Sequence, residues 1–147
     1  MAYGMAETLN PVTGDEEISL YATENYRVAP TELIRYTLRQ DGFFSWRAPW
    51  REGRVLTRPL ILPGDQMSLN FSTSAQGYVR IRVLDGAGEP IPNLDSGYLF
   101  GDALRRDVPF RGALSQAAGR PVRLEFVMSD ADVYSVTFRD ACPPHLR

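Results

Sequence analysis

The stretch Arg120-Pro-Val-Arg-Leu-Glu-Phe-Val-Met-Ser-Asp-Ala-Asp-Val-Tyr-Ser-Val-Thr-Phe138 decides the fold class of this chain. Val122, Leu124 and Phe126 alternate with Arg123 and Glu125, and Tyr134, Val136 and Phe138 alternate with Ser135 and Thr137. Alternation of period two puts one set of side chains on a dry face and the other on a wet face. The polar Ser129-Asp-Ala-Asp132 run between them reads as a tight bend, so the whole predicts an antiparallel hairpin.

The same pattern recurs upstream. Ile18 and Leu20 alternate with Ser19 and Tyr21, and Ile34, Tyr36 and Leu38 alternate with Arg35, Thr37 and Arg39. Asp41-Gly42 follows and then Phe43-Phe-Ser-Trp46, which predicts a two-residue hairpin because both central residues tolerate positive φ. Gly53 to Leu62 reads as a strand interrupted by Pro59, which removes a ladder donor and points to an edge or a bulge. Met67, Leu69 and Phe71 form one inward set and Val79, Ile81 and Val83 another, with Arg80 and Arg82 outward. Residues 86 to 93 read as a loop. Tyr98 to Phe100 and Leu104 to Phe110 read as further short strands. Leu114 to Ala118 reads as one helical turn closed by Gly119.

Eight or nine short strands separated by Gly, Pro and Asp turns predict an all-β chain. The expected architecture is a two-layer antiparallel β-sandwich, jelly-roll-like, with one short helical turn near 114–118. Residues 1–16 read as a connector, 17–139 as the sandwich domain and 140–147 as a disordered tail. At 147 residues a single domain buries roughly 70% of its unfolded surface, so neither a metal nor a disulfide is needed to hold the core.

Composition narrows the function classes. The net charge is −2 and all sixteen basic residues are arginine, scattered through the chain. That argues against a nucleic-acid partner, which usually needs a basic face. No apolar run reaches membrane-spanning length, so no membrane partner is expected. The first residues lack the basic and apolar regions of a signal peptide. A single cysteine, Cys142, leaves the redox compartment open.

Candidate chemistry is sparse. His145 is the only histidine and sits in the Pro-Pro tail beside Cys142, without the oriented partners of a triad or the four ligands of a zinc site. Asp102, Asp130 and Asp132 can serve glycoside hydrolysis as a carboxylate pair or hold calcium. Turn aspartates more often cap backbone N–H groups, and that reading is preferred. Trp46 and Trp50 bracket Arg47-Ala-Pro49 beside Phe43 and Phe44. Such rings either stack on the apolar faces of sugars or cover a sheet edge or a neighbouring domain. Arg80, Arg82, Arg123 and Glu125 fall on outward positions and predict a charged ladder, ordinarily a solvated face.

Several segments together resemble a known module: Glu17 to Glu24, Leu33 to Phe43, Phe100-Gly-Asp102 and Leu114 to Phe138. They are similar to the C-terminal β-sandwich that follows a five-bladed β-propeller in bacterial glycoside-hydrolase-like proteins of the fructosidase, arabinanase and neoagarobiose-hydrolase kind. The resemblance spans residues 3 to 138 and is carried mainly by the Leu-Ser-x-x-Ala-Gly-Arg-Pro-Val-Arg-Leu-x-Phe run. It implies that Tyr3-Gly4 ends the last propeller blade and that the catalytic acids lie in the propeller. No catalytic residue, metal or cofactor is therefore carried over.

Three functional expectations follow. The first is a non-catalytic accessory module that packs on a propeller and contacts glycan. The second is an independent carbohydrate-binding module using Trp46 and Trp50. The third is a glycosidase using Asp102, Asp130 and Asp132.

Overall fold

The computed structural model describes residues 2–140, and for Ala2 and Tyr3 the backbone alone. The expectations for Cys142, His145 and most of the tail lie outside the described residues. Within them the chain is all-β and antiparallel, with nine strands and one 3₁₀ turn. It divides into two compact units, Met1–Phe44 and Ser45–Arg147.

The second unit is built on two very long strands. The strands of this unit are Trp46–Ala48 (β4), Gly53–Leu56 (β5), Gln66–Leu84 (β6), Pro90–Leu99 (β7), Asp102–Asp107 (β8) and Arg123–Arg139 (β9). The expected hairpin at 120–138 is instead the single strand β9, and the two inward sets at 67–71 and 79–83 belong to the single strand β6. The two pair antiparallel along their whole length, from Gln66↔Arg139 to Leu84↔Arg123. What looked like a turn is a phase change. The buried positions run Leu124, Phe126, Met128, then Ala131, Val133, a switch from even to odd produced by a bulge at Asp130, whose φ is +44°. A second register shift between Asn70 and Phe71 skips Tyr134, so Val133 and not Tyr134 is buried. Bulges insert one residue and rotate the pattern without ending the strand.

These bulges divide the β6–β9 ribbon into two halves with different neighbours. One half carries β8 on β6 and β4 on β9; the other carries β7 on β6 and β5 on β9. Cross-strand pairs Met67–Phe138, Leu69–Val136 and Phe71–Val133 line the first half. Val79–Met128, Ile81–Phe126 and Val83–Leu124 line the second. Ten of these twelve side chains form one buried apolar cluster, and Val136 and Phe138 pack against it, so the two halves face a common core as the two layers of a β-sandwich. The 3₁₀ turn Leu114–Ala117 adds Leu114 and Ala117 to it. Their i, i+3 spacing eclipses them on one side of such a turn.

The bulge depends on a glycine. Residues 74–77 of β6 oppose Asp130 alone, between Thr73↔Ala131 and Tyr78↔Ser129. The Ser74 hydroxyl accepts the N–H groups of Gln76 (3.3 Å) and Gly77 (3.0 Å). At Gly77 a Cβ would lie 2.2 Å from the Asp130 carbonyl oxygen and 2.8 Å from that of Ser129, so only glycine admits the crossing backbones.

Prolines lie at the rims of the sheet. Pro90 and Pro92 lie in β7, at the end of the strand path, and β7 begins inside the stretch expected to be loop. Pro59 separates β5 from a single bridge between Leu60 and Val122 (Leu60 N to Val122 O 2.8 Å).

The first unit is a three-stranded antiparallel meander of Ala2–Leu9 (β1), Glu16–Glu24 (β2) and Glu32–Arg39 (β3). Residues 2–9 were expected to be part of a connector, because Ala, Gly and Glu are poor strand formers. They become a strand by pairing with β2, from Ala2↔Ala22 to Leu9↔Glu16. The intervening turn is held by Asn10, whose side-chain oxygen accepts the N–H groups of Val12 (2.9 Å) and Thr13 (3.1 Å). The partner of β3 is β2, not the 43–46 segment. Asp41 does take positive φ (+58°), and Gly42 N–H bonds to the Arg39 carbonyl (3.0 Å), but this turn redirects the chain without forming a hairpin. Strands β2 and β3 therefore belong to a sheet that includes none of the strands β4–β9.

Candidate functional site

The structure puts the two tryptophans in different surroundings. Trp46 opens β4 opposite Val133, and its ring packs edge-on against the fully buried Phe126, with centroids 5.4 Å apart at 62°. It covers the core. Trp50 lies between β4 and β5 and is 69% exposed. Its backbone is fixed where its ring is not: the Trp50 carbonyl accepts the Ser129 hydroxyl (2.8 Å), and the neighbouring Pro49 carbonyl accepts the Asp130 N–H (2.9 Å). Those two bonds stitch the β4–β5 turn onto the bulge of β9.

The three aspartates occupy different positions. Asp102 and Asp132 both lie opposite Ser72, one on each side of β6, so their backbones stand two strand spacings apart, about 9.5 Å. Asp132 accepts the Ser45 hydroxyl (2.6 Å) and lies 4.0 Å from the Arg47 guanidinium, tying the segment entering β4 to β9. Asp130 occupies the positive-φ bulge position, a conformation Asp tolerates better than most residues. No three His, Cys, Asp or Glu side chains gather as a metal requires among the described residues.

A more organised cluster lies on the outer face of the β7–β6–β9–β5 layer. Its key is a bulge in β7. Arg80 pairs with Tyr98, but Arg82 pairs with Asp95, because Ser96 and Gly97 together oppose Ile81. The buried Ser96 hydroxyl accepts the Ile81 N–H (2.9 Å), and Gly97 takes φ +68°. Without the extra residue Asp95 would face the core; with it, Asp95 joins Arg80 outside. The Arg80 Nε lies 3.0 and 3.1 Å from the two carboxylate oxygens, Nη2 closes the fork, and the Gly97 N–H adds a bond of 2.8 Å.

Three rings stand beside this fork. Tyr78 and Tyr98 meet edge-to-face at 4.9 Å, Tyr98 and Phe100 are 6.4 Å apart at a tilt of 32°, and the Arg80 guanidinium sits 5.5 Å over Tyr98. The Tyr78 hydroxyl donates to Glu52, and that bond holds its pKa above the ordinary phenol value. Phe100 and Tyr98 are each about half exposed. No sequence pattern marks this grouping, because Tyr98 and Phe100 reach Tyr78 and Arg80 only through the β6–β7 register.

Next to it, Glu125 corrects the solvated-ladder expectation. Its register partner is Arg82, yet it is 3% exposed, covered by ion pairs with both Arg82 and Arg54. Removing one member of a buried ion pair leaves the other without compensation. Glu125→Ala should therefore lower stability by about 2 kcal/mol, less than a fully buried pair because Arg54 is largely solvated. Arg54→Ala should cost well under half of that. Urea denaturation of both variants checks the order.

Asp95 carries a pH signature. The hydrogen bond from Arg80, reinforced by the Gly97 N–H, holds its carboxyl below the ordinary value of 3.8 despite the opposing effect of partial burial. A depressed folded-state pKa adds stability above the unfolded value, and that stability is lost as pH falls through the folded value. The urea midpoint of the native chain should consequently fall more steeply below pH 3.8 than that of Asp95→Asn. Parallel curves would contradict this.

The first unit offers a different surface. Its two faces follow from the register. One face aligns Met5–Leu20–Tyr36 and Glu7–Ile18–Leu38, and Met5, Leu9 and Tyr36 on it remain exposed. On the other face Arg35 gathers Ser19 (Nε to Oγ 2.7 Å), Thr8 (3.2 Å) and Glu17 at one end. At the other end an open apolar groove of about 630 Å³ is lined by Gly4, Ala6, Tyr21, Thr23 and Leu33 of this face, with Met5 reaching its margin. No helix of the described residues is long and apolar enough to cross a membrane.

The fold defines an all-β, antiparallel class of protein. Compared with protein-family models, curated proteins and solved structures, the chain has no match in any of the three.

Proposed function

We propose that this chain is a non-catalytic accessory β-sandwich module of a glycoside-hydrolase-like protein. It docks on a five-bladed β-propeller and contacts glycan. The observation that supports it most is the first unit: three strands with Met5, Leu9 and Tyr36 exposed on one face and an apolar groove on the other. Three strands alone hold little core, and a sheet with apolar surface on both faces gains stability when another layer covers it. A domain that supplies this layer is the partner the surface fits.

Two experiments test the reading. The coding sequence immediately upstream of Met1 is expected to specify a five-bladed propeller, in frame or interrupted. Co-expressed with this chain, that propeller should co-purify, and Met5→Glu combined with Leu9→Glu should abolish the complex while leaving the circular dichroism unchanged. An upstream region without a propeller, or a complex indifferent to both changes, removes the docking reading. The isolated chain should hydrolyse no fructoside, arabinan or agarose oligosaccharide. Measurable turnover that is lost in Asp132→Asn would restore the glycosidase.

A second reading is favoured by one specific observation, the solvent exposure of the Trp50 ring. An independent carbohydrate-binding module using Trp50 predicts glycan binding that Trp50→Ala abolishes. Trp46→Ala, by contrast, should act through stability, because that ring packs on Phe126.

A further inference from the structure

We propose that the outer face of β6–β7 is a binding surface for a neutral pyranose unit of a glycan. Tyr98 and Phe100 form its platform, and the Arg80–Asp95 fork forms its polar rim. This deepens the glycan-contacting part of the reading above and does not depend on docking to a propeller.

Four observations carry it. The rings are exposed where a sheet face more commonly shows charged or small polar side chains, with Tyr98 at 55% and Phe100 at 51%. They are also held in place: Tyr78 packs edge-on against Tyr98, Glu52 anchors the Tyr78 hydroxyl, and an Arg106 N–H bonds to the Phe100 carbonyl (2.5 Å). A platform fixed before binding loses little side-chain entropy on contact. Third, the β7 bulge places Asp95 on this face, where its carboxylate accepts three hydrogen bonds from Arg80 and one from the Gly97 N–H, which together orient Arg80. Fourth, the guanidinium that lies over Tyr98 is paired, Arg80 with Asp95.

These features select the ligand. A pyranose presents a face of C–H groups that lies against an aromatic ring, and an edge of vicinal hydroxyls that meets planar donors and acceptors. The guanidinium over Tyr98 asks for no further anion, since Asp95 already neutralises it. A proline-rich peptide would need an aromatic-lined groove, and Tyr98 and Phe100 stand on an open sheet face.

The test uses the full chain against a panel of neutral oligosaccharides and polysaccharides, by glycan array followed by calorimetric titration. At least one neutral glycan should bind. Tyr98→Ala and Phe100→Ala should each weaken it tenfold or more, while Tyr98→Phe keeps most of the affinity because the ring face remains. Asp95→Asn should weaken it by releasing Arg80, and Trp50→Ala should leave it unchanged. Both ring positions are exposed, so unchanged thermal midpoints in Tyr98→Ala and Phe100→Ala confirm intact folding. Absence of binding to the whole panel overturns the proposal. So does binding that survives both ring deletions, that is lost only in Trp50→Ala, or that is confined to acidic glycans. Retained glycan binding with no propeller complex would leave this site standing and remove the docking reading alone.

Discussion

Gly77→Ala lowers the stability of the second unit by about 3 kcal/mol, the upper end of what overpacking ordinarily costs. The added methyl would stand 2.2 Å from the Asp130 carbonyl oxygen. Neither can yield on its own, because the oxygen is backbone and a Cβ moves only with the backbone of residue 77, and both strands belong to the β6–β9 ribbon. Relief requires separating the strands at the bulge, which also loosens the Asp130 N–H bond to Pro49 and with it the β4–β5 turn. Gly86→Ala is the matched control. Its added methyl meets no atom within 4 Å, and an unstrained Gly-to-Ala change is neutral or stabilises by about 0.4–1 kcal/mol. Urea midpoints for the pair should therefore move in opposite directions or by very different amounts. Equal shifts would show that the ribbon does not cross at residue 77.

Phe126→Ala should destabilise by about 3–5 kcal/mol, the usual cost of deleting a buried aromatic side chain. Phe126 is fully buried, pairs with Ile81 across the ribbon and supports the Trp46 ring. Its loss therefore opens a cavity in the common core and removes the packing that holds β4 at the edge. Phe126→Leu should recover much of the stability, and in both variants the Trp46 fluorescence should move toward that of a solvated indole. A loss below about 1 kcal/mol in Phe126→Ala would mean that the two ribbon halves do not share one core.

The two experiments bear on function through the same element. The β6–β9 ribbon sets the outer face on which Tyr78, Arg80 and Glu125 stand, and it aligns β7 so that Tyr98 and Asp95 arrive beside them. Ring deletions at Tyr98 or Phe100 should change recognition without changing the midpoint. Core changes at Phe126 or Gly77 should do the reverse.

By itself the sequence determined the all-β class, the inward sets Met67–Leu69–Phe71, Val79–Ile81–Val83 and Leu124–Phe126, the helical turn at 114–117 and the edge character near Pro59. Side-chain alternation is local, and burial follows it wherever the strand is regular. The tertiary structure alone decided that 66–84 and 123–139 are single bulged strands, that residues 2–9 pair with β2, and that Asp95 and Glu125 meet Arg80 and Arg82. A bulge and a turn both interrupt a period-two pattern with polar residues, and they differ only in whether a partner strand continues alongside. Likewise, which rings and charges become neighbours is set by the register between strands distant in sequence, and no property of either strand alone encodes it.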